Sequence, residues 1–272
     1  MINGGLMNIV VCVKAIPYIE ERVKIDQSGR DIVKTGLKFK INDSDENALE
    51  EALILKEKHG GTVTVLSLSS EKEVTYAEQV IWECYAKGVD QAILICDKLF
   101  ENPDPYITSK ALAEVLKSIK YDLILTGCQA VDDSYMQIGP MIAEILGLPY
   151  TTLAVKIQIL DEGRILVHRE LEEGYRQAVE IKIPALITTQ TGINLPRYAA
   201  LIKILAAKKK PIKKITAKEL NLDVEVINSW RNIFIEEMYI PKAERAAQII
   251  TGTPVEAAAK LALIINNTLK SG

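Results

Sequence analysis

Residues 121–139 read YDLILTGCQAVDDSYMQIG, an apolar run that passes through a glycine-containing loop into a segment of helical pattern. The run Tyr121–Leu125 is typical of a strand buried on both faces, as in a parallel sheet covered by helices. Three earlier runs share this character, namely Asn8–Val13, Thr62–Ser67 and Gln91–Ile95. Because helical stretches separate them, we expect right-handed β-α-β crossovers. The predicted fold class is α/β, with a doubly wound parallel sheet of about five strands.

Four helices are predicted around these strands. The first begins at Asn42 or Asp43, both of which are good N-caps, and ends near His59, where Gly60 and Gly61 stop it. The other three are expected at about Lys72–Lys87, from Pro105 to about Lys117, and from near Tyr135 to Gly147.

Two antiparallel features are also predicted. Val23–Ile25 and Lys38–Ile41 have strand patterns on either side of a Ser28-Gly29 turn. After Pro149 an antiparallel insert is expected at about residues 155–182. Its strands are predicted at Val155–Leu160, Arg164–Glu170 and Gln177–Ile181, after which Ala185–Thr189 returns to the main sheet.

The pattern divides the chain into an α/β domain over residues 1–219 and a C-terminal arm over residues 220–272. The arm is predicted to be irregular from Leu220 to Ile249 and helical at about Pro254–Leu269. Aromatic residues such as Phe234 argue against plain disorder. We therefore expect the arm to dock on another surface.

Composition excludes several function classes. The 272 residues carry a net charge of −3, which does not favour a broad nucleic-acid surface, and no apolar run approaches the roughly 18 residues that span a bilayer. Four cysteines without a CxxC pair suit a reducing cytoplasm or organelle matrix better than a secreted protein. Of these we expect the cytoplasm, in a bacterium or archaeon. The histidines, His59 and His168, lie in no metal or nucleophile pattern, and GxGxxG and P-loop motifs do not occur. The sequence predicts a binding site without catalytic or metal-ligating residues.

The loop after Tyr121–Leu125 is the predicted ligand site. Ligands of open parallel sheets bind at the carboxyl ends of strands near the switch point, which we expect the first and fourth strands to flank. Gly127 is placed for an unusual φ or a close approach to a ligand. The following helix offers free N–H groups to an anion, with Ser134 placed to cap it and face a phosphate, and with Gln137 and Gly139 on its first turn.

Asp132 and Asp133 allow two interpretations. As acidic residues at a helix start, they are favoured by the helix dipole and take no part in binding. Facing a ligand instead, they could accept hydrogen bonds from ribose hydroxyls, although two carboxylates repel a phosphate unless they turn away from it. The sequence leaves both interpretations open.

Four stretches together resemble the β subunit of an electron-transfer flavoprotein, the partner of an FAD-carrying α subunit. They are NIVVCVK at 8–14, Asn42 with ENALEEA at 46–52, GCQAVDD at 127–133 with Gln137 and Gly139, and Pro184-Ala185 leading to LPRYAAL at 195–201. Their order and spacing carry the resemblance, which covers nearly the whole chain from Met7. It implies a doubly wound sheet of the adenine-nucleotide α-hydrolase-like type, with the small insert and the arm.

The resemblance implies that this chain holds AMP. Carried over residue by residue, the site consists of Cys12, Asn42, Asp43, Ser44, Asp45, Leu68, Gly127, Cys128, Gln129, Ala130, Val131, Asp132, Asp133, Ser134, Tyr135, Met136, Gln137, Ile138 and Gly139. Bifurcating relatives hold a second FAD here, which accepts electrons from NADH. Asp133, Tyr135 and Met136 add bulk and favour AMP, whereas Gly139-Pro140 is close to the bifurcating form. Asp43-Ser44-Asp45 stands where the family has a proline-aromatic segment, which puts flavin contacts there in doubt.

The resemblance also implies partners. The pair would share FAD and pass electrons from a flavin dehydrogenase, such as an acyl-CoA dehydrogenase, to a quinone reductase or another acceptor. Residues 192–207 resemble the partner-recognition loop, and the implied partner-binding residues are Glu170, Pro196, Arg197, Tyr198 and Leu201. Leu201 would be the anchoring leucine, or alternatively a core residue of its helix. Glu170 would pair with the α subunit, or alternatively lie on an exposed strand edge.

A nucleotide-binding protein of the universal-stress type is a further alternative, because it shares the sheet topology. The antiparallel insert, Pro196-Arg197-Tyr198 and the long arm argue against it. The leading interpretation is an electron-carrier subunit rather than a stand-alone enzyme.

Overall fold

The structure is a computed structural model that describes residues 6–20, 23–160, 163–241 and 247–270. Its strands are β1 (Met7–Cys12), β2 (Ala15–Tyr18), β3 (Lys38–Ile41), β4 (Gly61–Ser69), β5 (Gln91–Cys96), β6 (Leu123–Gly127), β7 (Tyr150–Ile159), β8 (Arg164–Glu170), β9 (Arg176–Lys182), β10 (Ala185–Thr189) and β11 (Lys213–Ile215). Its helices are α1 (Asp43–His59), α2 (Val74–Lys87), α3 (Pro105–Ser118), α4 (Ile138–Leu146), α5 (Leu201–Ala207), α6 (Val224–Trp230) and α7 (Pro254–Lys270).

The predicted α/β fold class is confirmed, but the sheet is larger than predicted. One nine-stranded sheet runs in the order β11-β5-β4-β1-β6-β10-β7-β8-β9, and it is parallel from β11 to β7. The predicted insert continues this sheet, because β7 pairs with β10 on one side and with β8 on the other. The lysine-rich segment contributes the opposite edge strand, β11.

The alternation of side chains explains why the central strands are mostly apolar. In β1, Ile9 and Val11 belong to the core on the α1 and α2 side, whereas Val10 and Cys12 belong to the core on the α3 and α4 side. Because both faces are covered by helices, nearly every position in such a strand is buried. The neighbouring β1 and β6 form the switch point, as predicted.

The hairpin before α1 differs from the prediction. β3 pairs with β2 rather than with Val23–Ile25, and Ile25 forms only an isolated bridge with Ile32 around the predicted turn. The prediction missed β2 because Pro17 lies within it, and proline is compatible with a strand only at an edge. Both strands of this separate two-stranded sheet are edges.

Part of the predicted arm packs against the α/β body. Leu222 and Ile227 are buried in the core beside α3, so the expectation of an irregular segment is wrong at α6. By contrast, α7 forms as predicted but buries none of its residues. Residues 242–246 and 271–272 of the arm lie outside the described residues. Within the described residues, no helix is long and apolar enough to cross a membrane.

Candidate functional site

A cavity of about 590 Å³ lies at the carboxyl ends of β1, β4 and β6. This volume falls in the range of small-molecule sites, and the position is the one expected for a ligand of an open parallel sheet. The predicted site residues that line it are Cys12, Asp45, Leu68, Gly127, Cys128, Gln129, Ala130, Asp132, Asp133, Tyr135, Met136, Gln137 and Ile138. The others, Asn42, Asp43, Ser44, Val131, Ser134 and Gly139, lie around it without forming its wall.

Asn42 and Ser44 hold the 127–131 segment from behind. The fully buried Asn42 donates from Nδ2 to the carbonyl oxygen of Gln129 at 2.8 Å, and its Oδ1 accepts from Val131 N at 3.1 Å. Ser44 Oγ donates to the same Gln129 oxygen at 2.6 Å. Asn42 is the N-cap residue of α1, but its side chain makes no capping bond because it is committed to this loop.

Asp45 joins the three elements that meet at the cavity. Its Oδ1 accepts from Gly127 N at 3.0 Å, and its Oδ2 accepts from Lys14 N at 2.8 Å. Burial raises the pKa of this carboxyl to about 7, although the two backbone donors act in the opposite direction. Of the two reasons predicted for a glycine at position 127, the unusual φ is wrong, because Gly127 does not have a left-handed φ. It is a glycine because an added Cβ would lie 2.2 Å from Ser44 Oγ and 2.3 Å from Asp45 Oδ1.

The loop runs further than predicted before the next helix starts. Ser134 and Met136 have φ values of +55° and +57°, a left-handed conformation that ends any helix, and α4 begins at Ile138 rather than near Tyr135. Ser134 therefore does not cap α4, and Gln137 occupies that position without a side-chain bond. The N-terminus of α4 still adjoins the cavity, because its first residue, Ile138, forms part of the wall.

Lys14 pairs with both acidic residues of the loop. Its Nζ lies 2.7 Å from Asp132 Oδ1 and 2.8 Å from Asp133 Oδ2. Burial lowers the pKa of Lys14, but the two carboxylates outweigh it, so the net pKa is above its ordinary value. The helix-start interpretation is wrong, because both residues precede α4 by several positions. One lysine against two carboxylates offsets about half of the charge that would repel an anion.

Sequence reasoning missed the outer wall of the cavity. Residues 231–238, here called the strap, cross it and contribute Arg231, Phe234 and Met238 to its lining. Asp104 fixes the start of the strap, since its Oδ2 accepts from Asn232 N at 2.6 Å. The end is fixed where Met238 N donates to Gly29 O at 2.7 Å. The strap and Asp104 are more than 120 residues apart in the chain, so no local pattern connects them.

The site has no activated nucleophile among the groups described. Burial raises the pKa of Cys12 to about 12, with Asp45 adding to the shift, and burial also raises the pKa of Cys128. Thiols in such surroundings stay protonated and unreactive. No group of three or more His, Cys, Asp or Glu among the described residues is placed to hold a metal ion. The two thiols of the cavity are therefore not activated as nucleophiles.

A second feature, the docking face, consists of Leu195, Tyr198, Leu201 and Ile202. Their exposed fractions are 93%, 100%, 71% and 79%. The alternative that Leu201 is a core residue is therefore wrong, and Leu201 is the first residue of α5. Contiguous exposed apolar side chains of this size are typical of an interaction surface.

The remaining predicted partner residues have defined places. Half-buried Glu170 accepts from Gln190 Nε2 at 3.1 Å. It lies on β8, which is flanked by β7 and β9, so the strand-edge alternative is wrong. Pro196 is partly buried, and the guanidinium of Arg197 turns back to α1 and away from the docking face.

Comparisons with known proteins agree over most of the chain. The model of the electron transfer flavoprotein domain family matches residues 31–220. "Electron transfer flavoprotein subunit beta" of Thermoanaerobacterium thermosaccharolyticum is 37% identical, covering 96% of this chain and 98% of its own. The protein of the same name from Clostridium acetobutylicum is 39% identical, covering 80% and 81%. "Caffeyl-CoA reductase-Etf complex subunit CarD" of Acetobacterium woodii is 34% identical, covering 92% and 94%.

Proposed function

Because the chain belongs to the β-subunit branch of the electron transfer flavoprotein family, we propose that it forms a heterodimer with an FAD-carrying α subunit. The pair carries electrons from a flavin dehydrogenase to a quinone reductase or another acceptor. The FAD supplies the redox chemistry. This chain supplies the scaffold, a nucleotide site and a docking face, which is consistent with the unreactive thiols around its cavity.

AMP is the ligand that we propose for the cavity. The observation that carries this proposal is the hydrogen-bonded joint between the first turn of α1 and the 127–131 segment, which shapes one wall of the 590 Å³ cavity. The lining fits a nucleoside monophosphate. Leu68 offers apolar surface to a base, while Ser70 and the α4 N-terminus offer donors to ribose and phosphate oxygens.

The residues of the site have distinct roles in this proposal. Asn42, Ser44 and Asp45 position the loop, and Lys14 offsets the negative charge of Asp132 and Asp133. Without that offset, the two carboxylates would oppose a phosphate nearby. Tyr135 and Met136 occupy space at the cavity wall, which favours the smaller AMP over a second FAD.

The docking face is proposed to bind the flavin dehydrogenase. A large apolar side chain that stands free and enters a pocket of the partner is the usual form of a binding hot spot. Leu201 meets this description best, since it begins α5 and is surrounded by other exposed apolar residues. The unpartnered α7 is proposed to pack on the α subunit, because it has no contact surface on its own chain that buries it.

Co-expression with the α subunit tests the proposal. We expect the two chains to co-purify as a yellow heterodimer that releases AMP and FAD in equal amounts on denaturation. A colourless, folded monomer would refute the carrier function, and the stress-protein alternative would then return. Two FAD per heterodimer without AMP would instead support the bifurcating alternative, in which the second FAD accepts electrons from NADH.

A further inference from the structure

The docking face is carried by the first turn of α5 and by the loop before it, and this loop is anchored from inside the protein. Between Leu195 and Tyr198, the side chain of Arg197 points the other way, toward α1. Its Nε lies 2.9 Å from Glu50 Oε2 and its Nη2 lies 2.9 Å from Glu50 Oε1, which is the forked geometry of a strong guanidinium–carboxylate pair. A second carboxylate, Glu57, accepts from Nη1 at 2.5 Å.

The backbone of the same residue is held as well. Arg197 N donates to Glu50 Oε2 at 2.9 Å, and the Arg197 carbonyl oxygen accepts from Lys87 Nζ at 3.0 Å. The side chain of Lys87 is only 3% exposed and that of Glu50 only 7% exposed. Three residues earlier in the loop, Asn194 exchanges hydrogen bonds with Asn47 of α1. The loop is therefore fixed at two points by buried polar groups.

We propose that Arg197 and Glu50 are positioning residues of the docking face, and that Arg197 does not itself contact the dehydrogenase. The proposal rests on the proposed function for the identity of the partner. A loop bearing free apolar side chains would lose conformational entropy on docking, and prior ordering by the anchor removes much of that cost. Arg197 suits this role better than lysine would, because only a guanidinium bridges two carboxylates in a fixed plane.

Glu50 makes the proposal testable. With its side chain buried beneath Arg197, Glu50 cannot reach a docked protein, so Glu50→Gln affects docking only by way of the loop. Arg197→Ala removes the side-chain bonds of the anchor and leaves only its two backbone bonds. Lys117→Ala, which breaks the exposed Lys117–Glu114 pair on α3, is the matched control for loss of an ordinary surface ion pair.

The experiment uses the complete heterodimer and two readouts. The first is hydrogen exchange of the 194–200 backbone, and the second is reduction of the heterodimer by an acyl-CoA dehydrogenase with its substrate. Arg197→Ala and Glu50→Gln are expected to speed exchange of 194–200 and to raise the KM for the heterodimer by about tenfold or more, with kcat and bound AMP and FAD unchanged. A variant that only unfolds part of the protein would lower kcat and cofactor content instead. Lys117→Ala should change neither readout.

Two outcomes would overturn the proposal. If exchange of 194–200 is unchanged in both variants, Arg197 and Glu50 do not order the loop. If Arg197→Ala raises KM while Glu50→Gln leaves it unchanged, Arg197 contacts the dehydrogenase directly. Should the wild-type heterodimer accept no electrons from the dehydrogenase, the proposed partner is wrong, and the exchange readout alone then decides whether the anchor orders the loop.

Discussion

Replacing Gly127 by alanine tests the joint between the loop and α1 on which the nucleotide site depends. An added Cβ would lie 2.2 Å from Ser44 Oγ, 2.3 Å from Asp45 Oδ1 and 2.7 Å from Asp45 N. The two side-chain atoms can turn away from the methyl group. The backbone nitrogen can move only with the first turn of α1, so rotamer changes alone do not relieve the overlap.

The expected cost of Gly127→Ala follows from these contacts. Overpacking a well-filled site costs about 1–3 kcal/mol, and loss of the buried hydrogen bond from Gly127 N to Asp45 adds about 1 kcal/mol. The unfolding free energy should therefore fall by about 3 kcal/mol. For a chain of this size, that lowers the unfolding midpoint by about 6–12 °C.

Thermal unfolding of the heterodimer, with AMP measured after purification, is the assay. Gly147→Ala is the control, since Gly147 has a φ of +65° but nothing within 4 Å of an added Cβ. Its backbone strain of about 1 kcal/mol should lower the midpoint by about 2–4 °C without loss of AMP. If Gly127→Ala melts within about 2 °C of the wild type and keeps its AMP, the close-packing argument is wrong.

Three further changes address the charges around the cavity and the strap. The raised pKa of Asp45, about 7 against an ordinary value of about 3.9, means that the native state binds an extra proton. The unfolding free energy of the wild type, measured in urea, should therefore decrease as the pH rises from about 4 to about 7, by up to about 1.4 kcal/mol per pH unit. Asp45→Asn should remove this slope, and a flat wild-type profile would contradict the raised pKa. Lys14→Met should lower the AMP content of the purified heterodimer, and the double variant Lys14→Met/Asp133→Asn should recover part of it. Equal AMP content in the wild type, the single variant and the double variant would exclude the charge-offset role of Lys14. Asp104→Ala should lower the unfolding free energy by about 2 kcal/mol and speed hydrogen exchange at residues 232–233, because it removes the N-cap of α3 and the acceptor of the strap together. Unchanged exchange at 232–233 would show that another contact holds the strap.

The features that could be predicted from the sequence are those with a local physical signal. β1 and β6 are apolar at most positions because helices cover both faces of the sheet. The helices α1 and α2 stop at Gly60 and Gly88. The position of the ligand site follows from the same local signals, because the switch point between two identified strands determines where their carboxyl ends meet.

The features that were missed depend on contacts between distant residues. Lys14 and Asp132 are 118 positions apart, so their ion pair has no signature in either segment. The late start of α4 results from left-handed residues at Ser134 and Met136, neither of which is a glycine that would signal such a conformation. The extended sheet was missed because β7 begins at Tyr150, five residues before the predicted strand Val155–Leu160, and it is this earlier part that pairs with β10.

The two functional features share one helix, and the packing of that helix predicts that they can be separated. The first turn of α1 holds the nucleotide loop through Ser44 and Asp45, and the second and later turns hold Arg197 through Glu50. The body of the helix is packed into the core, where Leu49 and Leu53 are almost fully buried. Close-packed interiors resist displacement, so a clash at Gly127 should move only the first turn.

Gly127→Ala is therefore expected to lose AMP while hydrogen exchange of residues 194–200 stays at the wild-type rate. Arg197→Ala should do the reverse, with faster exchange at 194–200 and AMP retained. If exchange at 194–200 also rises in Gly127→Ala, α1 moves as one unit, and the docking loop must then sense whether the nucleotide site is intact. Measuring both readouts on both variants distinguishes these cases, because only a rigid shift of α1 couples the two loops.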